Sequence, residues 1–148
     1  RVILFEGSIN RIEAALNHQG EPAITDELET LLASNAAELR QRATDLAVVI
    51  EFFCNEPERL RLNELNWLAV DIWEIKFGVM RLVFTSAYCP YVWSERRLEL
   101  AAHVIAPSVE ANTARATSMF IKQGEKAPLS EIRKAKAIAR EDRRNESH

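Results

Sequence analysis

The sequence predicts an α+β fold, in which a small antiparallel β-sheet packs against N-terminal helices and a C-terminal helix closes the chain. Three observations support this prediction. Apolar side chains recur at helical spacing within residues 39–53, two alternating stretches flank the pair Gly78 and Val79, and Pro128 precedes another stretch with helical spacing. Residues at about 88–115 fit none of these elements.

Length and composition fit one domain. The chain has 148 residues, of which 47% are hydrophobic, and this size can bury a core without disulfides or metal ions. We therefore expect a single domain over residues 1–148. The longest apolar tracts are much shorter than the ~20 residues of a membrane helix. Cys54 and Cys89 are far apart and lie in no metal-binding motif, so we expect free thiols, no metal and a cytoplasmic protein.

Charge is distributed unevenly along the chain, whose net charge is −3. Residues 1–70 carry 6 Lys and Arg against 12 Asp and Glu, a balance of −6, whereas residues 111–148 carry 9 against 5, a balance of +4. The basic C-terminal part is compatible with a nucleic-acid surface, although a solvated basic helix explains the same pattern.

The first part of the chain is predicted to hold one strand and one short helix. The apolar run at residues 2–5 favours a strand, and apolar side chains at residues 9–16 recur at helical spacing. Gly and Pro within residues 19–22 predict a loop.

Two helices are predicted next. Thr25 can cap a helix that carries Leu28 and two further leucines. Residues 35–38 have the spacing of a capping box for a second helix, which continues to Phe53 with one apolar stripe. The polar stretch 55–66 contains a proline and is predicted to be a connection.

Residues 71–84 predict a β-hairpin with a two-residue turn at Gly78 and Val79. The register that follows pairs Phe77 with Met80, Lys76 with Arg81, Ile75 with Leu82 and Trp73 with Phe84. The six apolar groups then share the core face, and the two cations are neighbours on the other face. Like charges in direct opposition cost stability, so a bound anion would favour this arrangement.

The last third of the chain contains one ambiguous segment and two predicted elements. Residues 88–114 fit either a strand through Leu98 and Leu100 or a helix capped by Ser94, and the pattern does not separate the two. A short strand is predicted at 116–122. Pro128 opens a helix to about residue 143, whose inward side chains are predicted to be Leu129, Ile132, Ala135 and Ala139.

Two separated segments carry recognisable motifs. Residues 71–77 read DIWEIKF and residues 79–84 read VMRLVF, which resembles a hairpin of the form Trp/Tyr-Glu-Leu-Arg followed by Tyr-Arg-Val-x-Phe. Residues 120–135 read FIKQGEKAPLSEIRKA, which resembles Phe-x-Lys-Lys-x-x-Lys-Thr-Pro-x-x-Glu-Ile-x-x-Ala. Both segments resemble the HigB-like branch of the RelE/ParE toxin superfamily, a phage-derived toxin family. The resemblance covers residues 22–87 and 116–143, and residues at about 88–115 look like an insertion relative to that family.

This resemblance implies a RelE-like fold and a toxin of a toxin–antitoxin pair. Such a toxin cuts mRNA on the ribosome without a metal or other cofactor, inhibits translation, and is held in check by an antitoxin protein. By position, the resemblance implies that the catalytic residues are Arg81, Lys76 and Lys122. It also implies that Lys126 binds RNA, and we expect Arg115 and Lys134 in the basic C-terminal part to bind RNA as well.

Cations suit this chemistry because the attacked phosphate gains negative charge. Arg81 stays charged and can offer two parallel N–H donors to a phosphate, and Lys76 would add charge beside it. The competing explanation is that these residues are ordinary surface cations on a solvated sheet face. Glu74 lies on the same face and could neutralise either one in a surface ion pair of little energetic value.

Departures from the family pattern favour an alternative. Lys76 stands where the family usually has Arg, which loses the planar fork. Gln123 replaces a Lys, and Ala127 replaces a Thr that would cap the last helix, a loss of ~1 kcal/mol. The alternative is a catalytically silent RelE-fold module that binds a protein through the insertion at 88–115. RNA binding without cleavage lies between the two.

Overall fold

The fold contains three α-helices and eight strands in the part of the chain that is described. A computed structural model describes residues 2–33, 37–61, 64–69, 72–78, 80–85, 91–94, 97–100, 113–121 and 128–146. The elements in chain order are β1 (Ile3–Glu6), β2 (Arg11–Ala14), α1 (Thr25–Leu32), α2 (Ala37–Asn55), a 3-10 turn (Pro57–Arg59), β3 (Leu65–Ala69), β4 (Ile72–Phe77), β5 (Met80–Thr85), β6 (Tyr91–Ser94), β7 (Arg97–Leu100), β8 (Thr113–Ile121) and α3 (Leu129–Glu146).

The main sheet is mixed, so the predicted α+β class with a C-terminal helix is confirmed but the predicted antiparallel sheet is wrong. Six strands lie in the order β1-β2-β8-β5-β4-β3. Strand β2 runs parallel to β8, and every other neighbouring pair is antiparallel. Residues 9–16 were predicted as a helix, and the strand that introduces the parallel pairing lies within them.

The reason for this error is visible in the burial of β2. Ile12 and Ala14 are both fully buried in the apolar core, at the two-residue spacing of a strand, whereas Ile9 is exposed. Strand β2 pairs with the neighbouring strand β1 on one side and, through Ile12 and Ala114, with the distant strand β8 on the other. The helical spacing at 9–16 was therefore a coincidence, because the parallel partner of β2 lies about 100 residues away in sequence.

The predicted hairpin register is confirmed at every predicted pair. Lys76 pairs with Arg81, and the same ladder joins Phe77 to Met80, Ile75 to Leu82 and Trp73 to Phe84. Gly78 has a φ of +58°, which suits glycine at the first position of this turn. The preceding strand β3 was not predicted, and it pairs antiparallel with β4.

Helices cover both faces of the sheet. Helix α2 packs on the face that carries Ile75 and Leu82, in a core that also contains Phe53. Helix α3 packs on the opposite face, where Ile72 and Val83 contact two alanines. The sequence placed only one face of the hairpin in the core, but both faces of β4 are buried, since Ile72, Trp73, Glu74 and Ile75 are all buried.

Helix α3 follows the predicted span, and its inward face is shifted. Ala135 and Ala139 are buried as predicted, whereas Leu129 is 68% exposed. None of the described helices is both long enough and apolar enough to span a membrane.

The turn between β1 and β2 is anchored on the end of α2. The backbone N–H groups of Ile9 and Asn10 both donate to the carbonyl of Cys54 at 2.9 Å, and Asn10 Nδ2 donates to the carbonyl of Phe53 at 2.7 Å. A Cβ at Gly7 would lie 2.5 Å from the Cys54 carbonyl oxygen. This close approach requires glycine.

The insertion contains a second, two-stranded sheet. Strands β6 and β7 pair antiparallel, with Ser94 opposite Arg97, so the strand alternative is confirmed for Arg97–Leu100 and the helix alternative is wrong there. The main sheet resumes at Thr113, two residues before the predicted end of the insertion. Cys89 and residues 101–112 lie outside the described residues.

Candidate functional site

The candidate site lies at the closed end of the β4–β5 hairpin, on the face that α3 covers. Lys76 on β4 and Arg81 on β5 are direct cross-strand partners, and Arg81 pairs on its other side with Phe120 of β8. Residues that are directly opposite in a sheet point to the same face. One face of three neighbouring strands therefore carries two cations and an aromatic ring side by side.

Arg81 is not exposed, which corrects the expectation that both cations face solvent. Its relative exposure is 4%. Its Nη1 donates to the carbonyl of Gly78 at 2.5 Å and to the carbonyl of Met80 at 3.0 Å. The guanidinium is thus folded back over the hairpin turn, whereas Lys76 is half-buried beside it.

Glu74 faces Arg81 from β4. Its Oε1 lies 3.6 Å from Arg81 Nε and accepts a hydrogen bond from Asn66 Nδ2 at 3.3 Å. Glu74 is 5% exposed, so this is a buried ion pair and not the surface pair that we expected. Burial lowers the pKa of Arg81, and the negative charge of Glu74 partly offsets that effect.

The pair is incompletely hydrogen-bonded. Glu74 Oε2 and Arg81 Nε have no hydrogen-bond partner among the described residues, and the 3.6 Å separation exceeds hydrogen-bonding distance. Buried polar atoms are normally hydrogen-bonded. The closed end of the hairpin thus holds a loosely made ion pair.

Arg115, predicted to bind RNA, lies in the interior. Its exposure is 0%, its Nη1 donates to Asp142 Oδ2 at 3.0 Å, and its Nε lies 3.4 Å from Glu13 Oε2. Two carboxylates from β2 and α3 therefore compensate its charge. We correct its assignment from a surface cation to a structural residue.

Lys134 is half-exposed on α3 and forms an ion pair with Glu27 of α1. The other carboxylate oxygen of Glu27 accepts a hydrogen bond from the backbone N–H of Met119 on β8. Lys134 is therefore accessible, but part of its charge is already balanced by a carboxylate of the same chain.

The remaining predicted site residues, Lys122 and Lys126, lie outside the described residues, as do Gln123 and Ala127. Of the six predicted cations, the structure thus brings Lys76 and Arg81 together, and it places Arg115 and Lys134 with carboxylates instead.

Sequence reasoning missed the acidic partners Glu13, Glu27 and Asp142. The pattern of β2 could have indicated Glu13, since it lies between two buried apolar residues of a strand. The other two partners carry no such signal. Among the described residues, no group of three or more His, Cys, Asp and Glu is placed to hold a metal ion.

A groove of about 300 Å³ lies next to the ends of β5 and β8. Its wall is largely apolar and includes Met80, Met119 and Ile121, and helix α1 contributes Asp26 and Glu27 to its rim. Ile121 is 44% exposed.

Comparison with known proteins gives no match, either to a family model or to a curated protein. The resemblance of residues 71–84 and 120–135 to the toxin motifs therefore stands on those residues alone.

Proposed function

We propose that this chain is a toxin of the HigB-like branch of the RelE/ParE superfamily. In this proposal it cuts mRNA on the ribosome without a metal ion, and an antitoxin protein holds it in check. The chain would act in the cytoplasm, where its substrate is translated.

The order of elements supports the proposal. Two helices precede an antiparallel meander of β3, β4 and β5, strand β8 joins that meander, and a basic helix ends the described chain. This is the order that the two motif segments imply, and β6 and β7 lie between them as an added hairpin.

The observation that carries the proposal is the cross-strand pairing of Lys76 with Arg81. Side by side on one face, these cations offer an arginine fork and a lysine charge to a single phosphodiester group. Like charges in this arrangement disfavour the folded state, so an arrangement that concentrates them suits an anionic ligand. Glu74 offsets the charge of Arg81 in the absence of that ligand.

The chemistry follows from the RNA itself. A ribose 2′-hydroxyl loses its proton and attacks the adjacent phosphorus, the bond from phosphorus to the 5′-oxygen breaks, and that oxygen takes up a proton. The products are a 2′,3′-cyclic phosphate and a 5′-hydroxyl. Arg81 and Lys76 would stabilise the additional negative charge of the phosphorane.

Controlled expression in bacteria tests the proposal. The wild type is expected to arrest growth and to cut transcripts within translated codons, and Arg81→Ala is expected to abolish both effects. Arg81→Lys keeps a buried cation beside Glu74 and loses only the fork, so it separates loss of chemistry from loss of fold. Arg144→Ala, at an exposed position of α3, is the matched control. Uncut transcripts in a strain that produces folded wild-type protein would contradict the proposal.

A second candidate function is a catalytically silent RelE-fold module that binds a partner protein. The observation that favours it is the internal compensation of Arg81 by Glu74 and of Arg115 by Glu13 and Asp142. Two of the predicted cations thus face carboxylates of the same chain. Absence of growth arrest together with a stoichiometric complex with the protein encoded beside it would support this candidate.

A further inference from the structure

The buried pair of Glu74 and Arg81 bears on how the proposed site binds RNA. We infer that Glu74 competes with RNA for Arg81, a role that we call the lock. In the free protein the Glu74 carboxylate pairs with the Arg81 guanidinium, and an RNA phosphate must replace that carboxylate in order to bind Arg81. This inference rests on the proposed function for its substrate class, and it names the residue that limits binding.

The first support is the contrast between the two buried arginines. Arg115 donates a hydrogen bond to Asp142 at 3.0 Å and has Glu13 at 3.4 Å. Among the described residues, Arg81 faces one carboxylate, at 3.6 Å, and its hydrogen bonds go to the backbone carbonyls of Gly78 and Met80. Arg115 is therefore hydrogen-bonded to a carboxylate, whereas the contact of Arg81 with Glu74 is longer than a hydrogen bond.

The second support is the unmade hydrogen bonds on both sides of the contact. Glu74 Oε2 and Arg81 Nε have no hydrogen-bond partner in the described part of the chain. A phosphate oxygen is a strong acceptor for Arg81 Nε, because charge-assisted hydrogen bonds to phosphate are shorter and stronger than neutral ones. A phosphate in the place of Glu74 would therefore give Arg81 Nε a hydrogen bond that it lacks in the free protein.

The third support is position. The guanidinium of Arg81 is bound to the carbonyl of Gly78, which is an exposed turn residue with open space around its Cα. Release of Arg81 to RNA requires that its side chain rotate away from the carbonyls of Gly78 and Met80 at this end of the hairpin. Lys76 lies two residues from Glu74 on the same face of the sheet.

The test is the Glu74→Gln variant, measured for binding to a short single-stranded RNA oligonucleotide by fluorescence anisotropy at several salt concentrations. We expect the affinity to rise roughly tenfold, the effect of one added charge-assisted hydrogen bond. The slope of log K against log salt should steepen by about 0.7, which corresponds to one more phosphate contact on a single strand. Adding Arg81→Met to this variant should abolish the gain.

Two further variants keep the test decisive. Glu56→Gln removes the same charge beside Arg59, an exposed arginine that Glu56 contacts at 3.1 Å, and it should leave RNA affinity nearly unchanged. Glu74→Asp keeps the buried charge but withdraws it by one methylene, so it should fold even if Glu74→Gln does not, with a smaller gain in affinity. No gain in any folded Glu74 variant, or an equal gain in Glu56→Gln, overturns the lock.

The outcome for the lock is separate from that for the proposed function. If the wild type cuts transcripts but the Glu74 variants bind RNA with unchanged affinity, the toxin proposal is supported and the lock is contradicted. The opposite result is a gain in RNA affinity that depends on Arg81, in a protein that cuts no transcript on the ribosome. It would support the lock and contradict the proposed nuclease activity.

Discussion

Arg115 Nε lies 3.4 Å from Glu13 Oε2, where the parallel strands β2 and β8 run side by side in the interior. Asp142 of α3 completes this cluster, since its Oδ2 accepts from Arg115 at 3.0 Å and its Oδ1 accepts from the backbone N–H of Leu16 at 2.9 Å. These contacts fix the N-terminal strands, β8 and α3 to one another. The same arginine was expected to bind RNA.

We predict that Asp142→Ala lowers the free energy of unfolding by about 3–5 kcal/mol, because removing one partner of a buried ion pair leaves the other buried without full compensation. Urea denaturation followed by circular dichroism measures this difference. The matched control is Arg144→Ala on the exposed side of the same helix, which should change stability by less than about 0.5 kcal/mol. Equal midpoints for the two variants would contradict the structural role of Asp142.

Glu27 protects an open stretch of sheet edge. Strand β2 pairs with β8 only as far as Ala116, and beyond it the N–H of Met119 donates to the Glu27 carboxylate, which also pairs with Lys134. Exposed strand edges promote association between chains. We therefore assign Glu27 to covering this edge.

We predict that Glu27→Ala lowers the free energy of unfolding by about 1–3 kcal/mol, the cost of leaving a partly buried N–H without its acceptor, and raises self-association. Size-exclusion chromatography at increasing protein concentration measures the association. Glu29→Ala, at an exposed position of the same helix, should leave both properties unchanged. If Glu27→Ala remains monomeric and as stable as the wild type, Glu27 does not protect the strand edge at Met119.

The hairpin was predictable from sequence because its information is local. Alternation with period two and a glycine at the turn fixed which residues pair, and Lys76 and Arg81 indeed lie opposite each other. The burial of Arg81 was not predictable, because it depends on α3 covering the second face of the sheet. The sequence does not show whether a charged side chain contacts water or a carboxylate, as Arg115 contacts Glu13.

Lys76 provides a direct measure of the phosphate contact in the proposed site. We predict that Lys76→Met weakens binding to single-stranded RNA and reduces the slope of log K against log salt by about 0.7, since one phosphate contact is lost. Lys136→Met changes the same charge at an exposed position of α3 and should have a much smaller effect. Identical salt slopes for the two variants would place the phosphate elsewhere.

Cys54 lies buried at the end of α2, beneath the turn between β1 and β2. Burial, and to a smaller extent the charge of Glu51, raises the pKa of Cys54 from 9.0 to about 12. The unfolded chain therefore releases this proton near pH 9, whereas the folded chain keeps it until about pH 12. Ionisation in this window favours the unfolded state.

We predict that the stability contributed by the protonated Cys54 thiol is complete below pH 9 and is lost as the pH rises from 9 to 12. Urea denaturation of the wild type and of Cys54→Ala across this window isolates the effect, because other titrating groups are common to both proteins. The wild type should lose stability relative to the variant as the pH rises. Parallel curves would show that the thiol ionises equally in the folded and unfolded states.

At neutral pH, alkylation of the Cys54 peptide by iodoacetamide should be slow until urea unfolds the chain, since the thiolate is the reactive form.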